Sequence, residues 1–282
     1  MSWISVRYHP ASFFSLRPAQ ATASGGQTLL VPTGFAIKMA LLNASIQTAG
    51  LVEGERRFAA IRDLRIALRL PPSITTLKSF AKIRRPAEFK KASEREEKIE
   101  RLSENKQYPF QSTIAYREFV QLGDPLLGLE ACEVEVACAV ARAPGATEDR
   151  EDWGDTGTSP APEWLGTTLL AINYLGKRGG FWQPLATPTS LESLTSDYVE
   201  VTRDTQRIPL DGTLQMLDDC GPGLTFEQVN IYSAKRIKLG EGRVFRHIVL
   251  PYRLAHSSRG YSRYLRLSSG SQRQTQGEVS GV

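Results

Sequence analysis

The tightest constraint on how this 282-residue chain can fold is a change of hydrophobic period between residues 32 and 70. Pro32-Thr33 supplies a helix start with Thr33 as N-cap, and Phe35, Met39, Leu42 and Ile46 recur on one helical face until Gly50 stops it. Leu64, Ile66, Leu68 and Leu70 then alternate with Asp63, Arg65, Ala67 and Arg69, the period of a half-buried strand ended by Pro71-Pro72. Trp3 to Tyr8 alternates in the same way, and a small-residue, Gly-rich loop runs from Ala19 to Gln27. The opening order is therefore β, α, β.

At 41% hydrophobic residues the chain has enough apolar surface for one large core or two smaller ones. The net charge of +5 is modest, but it is unevenly spread. Cations outnumber acids between Glu55 and Lys106, and from Ile231 to Arg266 nine cations face one acid, Glu241. An acidic connector, Glu148 to Asp155, separates the two basic regions. That distribution is the one expected of a nucleic-acid groove lined from both ends of a chain.

Residues 78–107 read as a charged, helical, inserted arm. Glu94 to Lys98 and Glu97 to Arg101 have the i,i+4 order of a solvated helix, and apolar positions are too few for core. Its first part, with Lys82, Arg84, Arg85, Lys90 and Lys91, is poorly balanced by acids and is the part expected to touch phosphate. Phe80, Phe89, Tyr108 and Phe110 interleave with these cations, either to stack on bases or to anchor the arm. Tyr116–Val120 and Cys132–Val140 read as strands, the second with Cys132 and Cys138 facing a core and Glu133 and Glu135 facing water. Residues 144–162 read as an acidic linker or loop, Trp164–Asn173 as a helix, and Tyr198–Ile208, Phe226–Lys238 and Phe245–Arg253 as strands. Residues 268–282, rich in Ser, Gly and Gln, read as a disordered tail.

The helix at Trp164 delivers the chain to Tyr174-Leu175-Gly176-Lys177-Arg178-Gly179-Gly180-Phe181-Trp182-Gln183, two adjacent cations among three glycines with aromatics on either side. Gly176, Gly179 and Gly180 allow close backbone approach to a phosphate, Lys177 and Arg178 neutralise its charge, and Tyr174 or Trp182 can stack on an unpaired base. A basic surface turn between two core elements accounts for the same residues. Lys235 and Arg236 in the second basic region are further candidate RNA contacts.

Walker, dinucleotide-binding, serine-elbow and zinc-helix motifs are all absent, and Cys132, Cys138 and Cys220 have no metal-ligand spacing, so neither cofactor nor metal is expected. The histidines are His9, His247 and His256. His247 beside Arg246, with Tyr252 and Arg253 close in sequence, is the best candidate for a metal-independent ribonuclease site, although a lone histidine in an alternating strand equally suits a structural role. The N-terminus lacks a cationic lead before an apolar block, and no segment has the length to span a bilayer. A soluble, cytoplasmic protein without membrane partners is expected.

The Gly-rich loop before Pro32-Thr33-Gly34, the charged insertion after the second strand, and the late helix running into Tyr174-Leu175-Gly176-Lys177-Arg178 together resemble the Cas-five subunit family of type I CRISPR surveillance complexes. That family belongs to the repeat-associated mysterious protein superfamily. The resemblance covers roughly Trp3 to Arg253 and departs from the family pattern at Gly179-Gly180-Phe181-Trp182 and at the acidic connector. It implies an α+β protein with a ferredoxin-like (RRM-like) core in residues 1–143 and a smaller, strand-rich part in residues 163–267. The role implied is noncatalytic: gripping the 5′ handle of the crRNA, capping the backbone filament, contacting the large and backbone subunits of Cascade, and meeting target DNA indirectly through the complex. A transposon-associated variant fits the same pattern. Some relatives cleave precursor crRNA, and a partner-binding protein without RNA is a third class of reading.

Overall fold

The computed structural model describes residues 2–19, 21, 26–89, 92–123, 132–140, 161–176, 179–206 and 211–267. The alternating N-terminal segment forms β1 (Trp3–Pro10), and α1 (Gly34–Ala49) starts where the cap signal places it, with Thr33 Oγ1 accepting from the Ala36 N–H at 3.1 Å. Gly50 ends α1 at φ 87°, but α2 (Leu51–Arg62) begins directly after it, a helix the sequence reading did not include. β2 (Leu64–Arg69), β3 (Ser73–Pro86), a 3₁₀ turn (Ala92–Glu94), α3 (Arg95–Glu104) and β4 (Phe110–Leu122) follow. β5 (Val134–Val140), α4 (Glu163–Leu170), β6 (Trp182–Pro184), β7 (Thr189–Leu191) and β8 (Tyr198–Glu200) come next. The chain ends with β9 (Thr213–Cys220), α5 (Phe226–Val229), β10 (Arg243–Leu250), β11 (Tyr252–Ser257) and β12 (Tyr261–Arg266). This is an α+β protein.

Its first sheet has the order β6-β1-β5-β2-β8, with β7 also on β1, and every pair is antiparallel. Period two decides its faces. Val6, Tyr8, Ile66, Leu68, Val136 and Cys138 are buried in the main core with α1 and α4, and the Tyr8 hydroxyl donates to Leu169 O at 2.6 Å. On the other face, Trp3, Ala67, Ala137 and Ala139 lie under Leu191, Leu194 and Tyr198. The second sheet has the order β11-β12-β3-β4, and β9 pairs with β10.

Several expectations are corrected. The basic first part of the arm is strand: β3 pairs with β4 from Ile74↔Leu122 out to Pro86↔Phe110, and only Ala92–Glu104 is helical. Lys78, Phe80, Lys82 and Arg84 alternate with Leu77, Ser79, Ala81 and Ile83, a period of two that charge counting obscured. Phe226–Lys238 holds the short helix α5, its capping box between Thr225 and Gln228, followed by loop. Within Tyr198–Ile208 only Tyr198–Glu200 is strand among the described residues. Cys138 is buried as expected, but Cys132 precedes β5 and is half-exposed. The acidic connector through residue 160 and the tail lie outside the described residues.

α1 is also more enclosed than its expected stripe. Of Phe35, Met39, Leu42 and Ile46 only Leu42 is buried, whereas Ile37, Leu41 and Ala44 are almost fully buried because α1 is packed by α2, α4 and β9. Lys38 shares that buried arc. Its ammonium lies 2.7 Å from the Asp219 carboxylate, with side-chain exposures of 2% and 4%. Removing one member of such a pair strands a charge in a medium that solvates it poorly. Lys38→Met is therefore expected to lower unfolding free energy by roughly 3–5 kcal/mol in urea denaturation, and adding Asp219→Leu to recover most of that loss.

Candidate nucleic-acid interface

The glycine turn is closed by backbone bonds. Tyr174 and Phe181 form an antiparallel bridge, Leu175 N–H donates to Gly180 O at 3.0 Å, and Trp182 N–H donates to Asn173 O at 3.0 Å. Ala11 N–H donates to Phe181 O at 2.9 Å, which ties the turn to the end of β1. Lys177 and Arg178 at its tip lie outside the described residues. Gly176 has φ 73°, and a Cβ there would come within 2.7 Å of Leu16 Cδ2. Gly179 has open space around it.

Trp182 is corrected as a stacking residue. It is 2% exposed, its ring 5.2 Å from that of Phe14, because β6 turns it inward against β1. Alternation gives the outward position to its neighbour Phe181, which is 57% exposed. Tyr174 is half-exposed.

Tyr174 and Gly176 border a cleft of about 310 Å³ between the strand-like segment at Leu16 and the start of α1. Leu16, Leu29, Phe35 and Met39 give it an apolar lining. Arg17 and Arg243 also line it. The Arg17 guanidinium donates to Ala21 O at 2.7 Å. That of Arg243 lies 4.3 Å over the Phe35 ring and is paired with Asp218. An apolar slot with aromatic edges and flanking guanidinium groups suits a flat ring carrying an anionic group. The sequence does not mark Arg17, Phe35, Asp218 or Arg243 as site residues, since they are far apart along the chain and no spacing links them.

The β3–β4 ribbon carries the other candidates. Directly opposed residues share a face, so Phe80, Lys82 and Arg84 stand with Tyr116, Ile114 and Ser112, and Phe110 follows beside Pro86. Phe80 is 73% exposed, its ring 5.5 Å from that of Tyr116, and Lys82, Arg84 and Phe110 are exposed as well. Desolvation and a hydrogen bond to Glu118 push the Tyr116 hydroxyl well above its usual range, so it stays a neutral donor. Arg85 is exposed on the opposite face, while Lys90 and Lys91 lie outside the described residues. Lys235 and Arg236 sit on the exposed loop after α5, Lys235 paired with Glu227 and Arg236 donating to Ser233 O at 3.2 Å. Neither lines the cleft.

The proposed nuclease grouping is not assembled. His247 is exposed, its N–H donating to Asp204 Oδ1 at 2.7 Å and its Nδ1 3.3 Å from the same oxygen. That backbone hydrogen bond leads the contacts that hold the Asp204 carboxyl below its ordinary range. Tyr252, by contrast, is fully buried with its hydroxyl bonded to Pro71 O. Among the described residues no three His, Cys, Asp or Glu side chains gather as a metal set, and no helix is long and apolar enough to cross a membrane.

No protein-family model matches the chain. Over 134 residues it is 31% identical to a CRISPR-associated protein Cas5 from Archaeoglobus fulgidus, a stretch that makes up 47% of this chain and 53% of that protein. Over that stretch the chain is similar to Cas5. It spans about half the length of that curated Cas5 relative. A crystal structure of a CRISPR protein from Archaeoglobus fulgidus superposes at a TM-score of 0.46 and 12% identity, covering 95% of this chain and 93% of that one.

The two turn glycines are expected to differ. Gly176→Ala forces a side chain into the left-handed region and against Leu16, and is expected to cost about 1–2 kcal/mol in chemical denaturation. Gly179→Ala is expected to stay within about 0.5 kcal/mol of the parent.

Proposed function

We propose that this chain is a noncatalytic guide-RNA-binding subunit of a type I CRISPR surveillance complex, holding the 5′ handle of the crRNA and capping the backbone filament. The observation that carries the reading is the exposed row of Phe80, Lys82, Arg84 and Phe110 on one face of a projecting ribbon, in a chain similar to Cas5 over part of its length. Aromatic rings alternating with cations suit a single strand, whose bases are free to stack while its phosphates are neutralised. The turn at Lys177-Arg178 would hold handle phosphates, and the cleft beside Tyr174 would take a splayed base next to Arg17 and Arg243. With Trp182 buried, Tyr174 and Phe181 take over the stacking role.

The same reading makes β1-α1-β2-β5-α4-β6 a ferredoxin-like core, which the spatial order β6-β1-β5-β2 supports, with β3, α3 and β4 inserted as a thumb. Its partners would be crRNA and the backbone and large subunits in the cytoplasm, with target DNA reached through the complex. The test is RNA retention by the purified complex through a salt titration. Lys82→Gln with Arg84→Gln, and separately Lys177→Ala with Arg178→Ala, are each expected to weaken retention and to flatten its log–log salt slope by about 0.7 per lost phosphate contact. Unchanged retention in both variants overturns the reading. So does cleavage of repeat RNA in chelator that His247→Ala abolishes, which would make the protein a processing ribonuclease.

A further inference from the structure

The second sheet carries an imbalance that the guide-binding face does not use. Its four strands, β11, β12, β3 and β4, hold eight cations, Lys78, Lys82, Arg84, Arg85, Arg117, Arg253, Arg263 and Arg266, against one acid, Glu118. Register puts Glu118 opposite Lys78, on the face whose inner end is core: Ile74, Val120, Leu122 and Tyr252 are buried there. There Glu118 accepts from Thr28 N–H at 3.1 Å. The outer face therefore has no acidic side chain on any of the four strands. It carries Arg85, Arg117, Arg253 and Arg263.

Aromatic rings stand on the same outer face. Phe119 pairs with Leu77, which pairs on its other side with Tyr261. A bulge between Leu254 and His256 inserts one residue into β11, so that His256 comes opposite Arg263 and joins this face. The His256 and Tyr261 rings stack at 4.9 Å with 27° between their planes, and Tyr261 is 40% exposed. β3 and β12 each have strands on both sides, yet Thr75, Leu77, Arg263 and Leu265 on this face remain half-exposed, as does Phe119. An interior strand covered by another layer would bury such residues, as the opposite face does.

We infer that the outer face of the β11-β12-β3-β4 sheet is a second nucleic-acid site, a platform for a single strand distinct from the one the projecting row grips. Arg85, Arg117 and Arg253, with no acidic side chain on this face of the four strands, select a polyanion, and Tyr261, His256 and Phe119 select one with unpaired bases. Stacking on an aromatic ring is open to every base, so binding is sequence-tolerant. The inference does not rest on the guide-RNA reading, because the two faces point to opposite sides of the sheet.

The test is fluorescence anisotropy of a labelled twelve-nucleotide oligothymidylate with the full chain. Arg117→Gln with Arg253→Gln is expected to lower the log–log salt slope by about 1.4. Tyr261→Ala is expected to weaken binding at least about fivefold, and Tyr261→Phe, which keeps the ring, to restore it. A duplex of equal length is expected to bind more weakly. Photo-cross-linking of unaltered protein to an iodouridine-substituted strand, expected to label peptides containing Phe119, His256 or Tyr261, keeps the test open if a variant fails to fold. The inference is overturned by unchanged binding in the outer-face variants, by loss only in Lys82→Gln with Arg84→Gln, by equal binding of duplex or of an acidic peptide, or by cross-links confined to the other face.

Discussion

A lysine ammonium locked against a carboxylate beneath α1 is the interaction on which the arrangement of this molecule turns. Lys38 comes from the helix that covers the first sheet, and Asp219 comes from β9, about 180 residues later in the chain. Neither charge can remain buried without the other, so the β9–β10 hairpin has to dock on α1 in one register. That docking brings Asp218 and Arg243 alongside Phe35, where they wall the cleft beside the glycine turn. A pair of this kind adds little net stability over apolar residues of the same volume, but it discriminates strongly against misplacement.

The second sheet shows how one ribbon acquires two surfaces. β3 and β4 leave the body together, and each face changes character along their length. The inner face begins as core at Ile74 and Val120 and continues outward as Phe80, Lys82 and Arg84 beyond the stretch where the backbones of Phe14 and Gly26 pair with the edge of β4 at Val120 and Glu118. The outer face is buried at its root, Ser73, and half-exposed or exposed from Thr75 outward. Gly26 packs so closely on Tyr116 that a Cβ would lie 1.9 Å from its carbonyl oxygen, which marks where the body ends and the projection begins.

How much of this was legible in the sequence depends on whether a signal is local. The cap at Thr33, the stop at Gly50 and the alternation through β1, β2 and β5 were read in place because each lies within a few consecutive residues. In the arm, dense charge masks a period of two, and β9 carries too many acids and polar residues to stand out as a strand. Phe226–Lys238 has strand-like composition, but its Thr225–Gln228 capping box makes a helical turn instead. At the site, the glycine turn and the basic ribbon were visible as composition, whereas Arg17, Phe35, Asp218 and Arg243 meet only through folding.

By itself, then, the sequence determined the β-α-β opening, the two basic regions and a likeness to Cas5, since periodicity, charge and motif are properties of neighbouring residues. Tertiary structure alone decided that Trp182 is core while Phe181 is surface, that Lys38 is an internal ion rather than a solvated one, and that Glu118 stands on the face opposite Arg117, Arg253 and Arg263. The reason is physical: burial and facing are set by what packs across a side chain, and those partners come from distant parts of the chain.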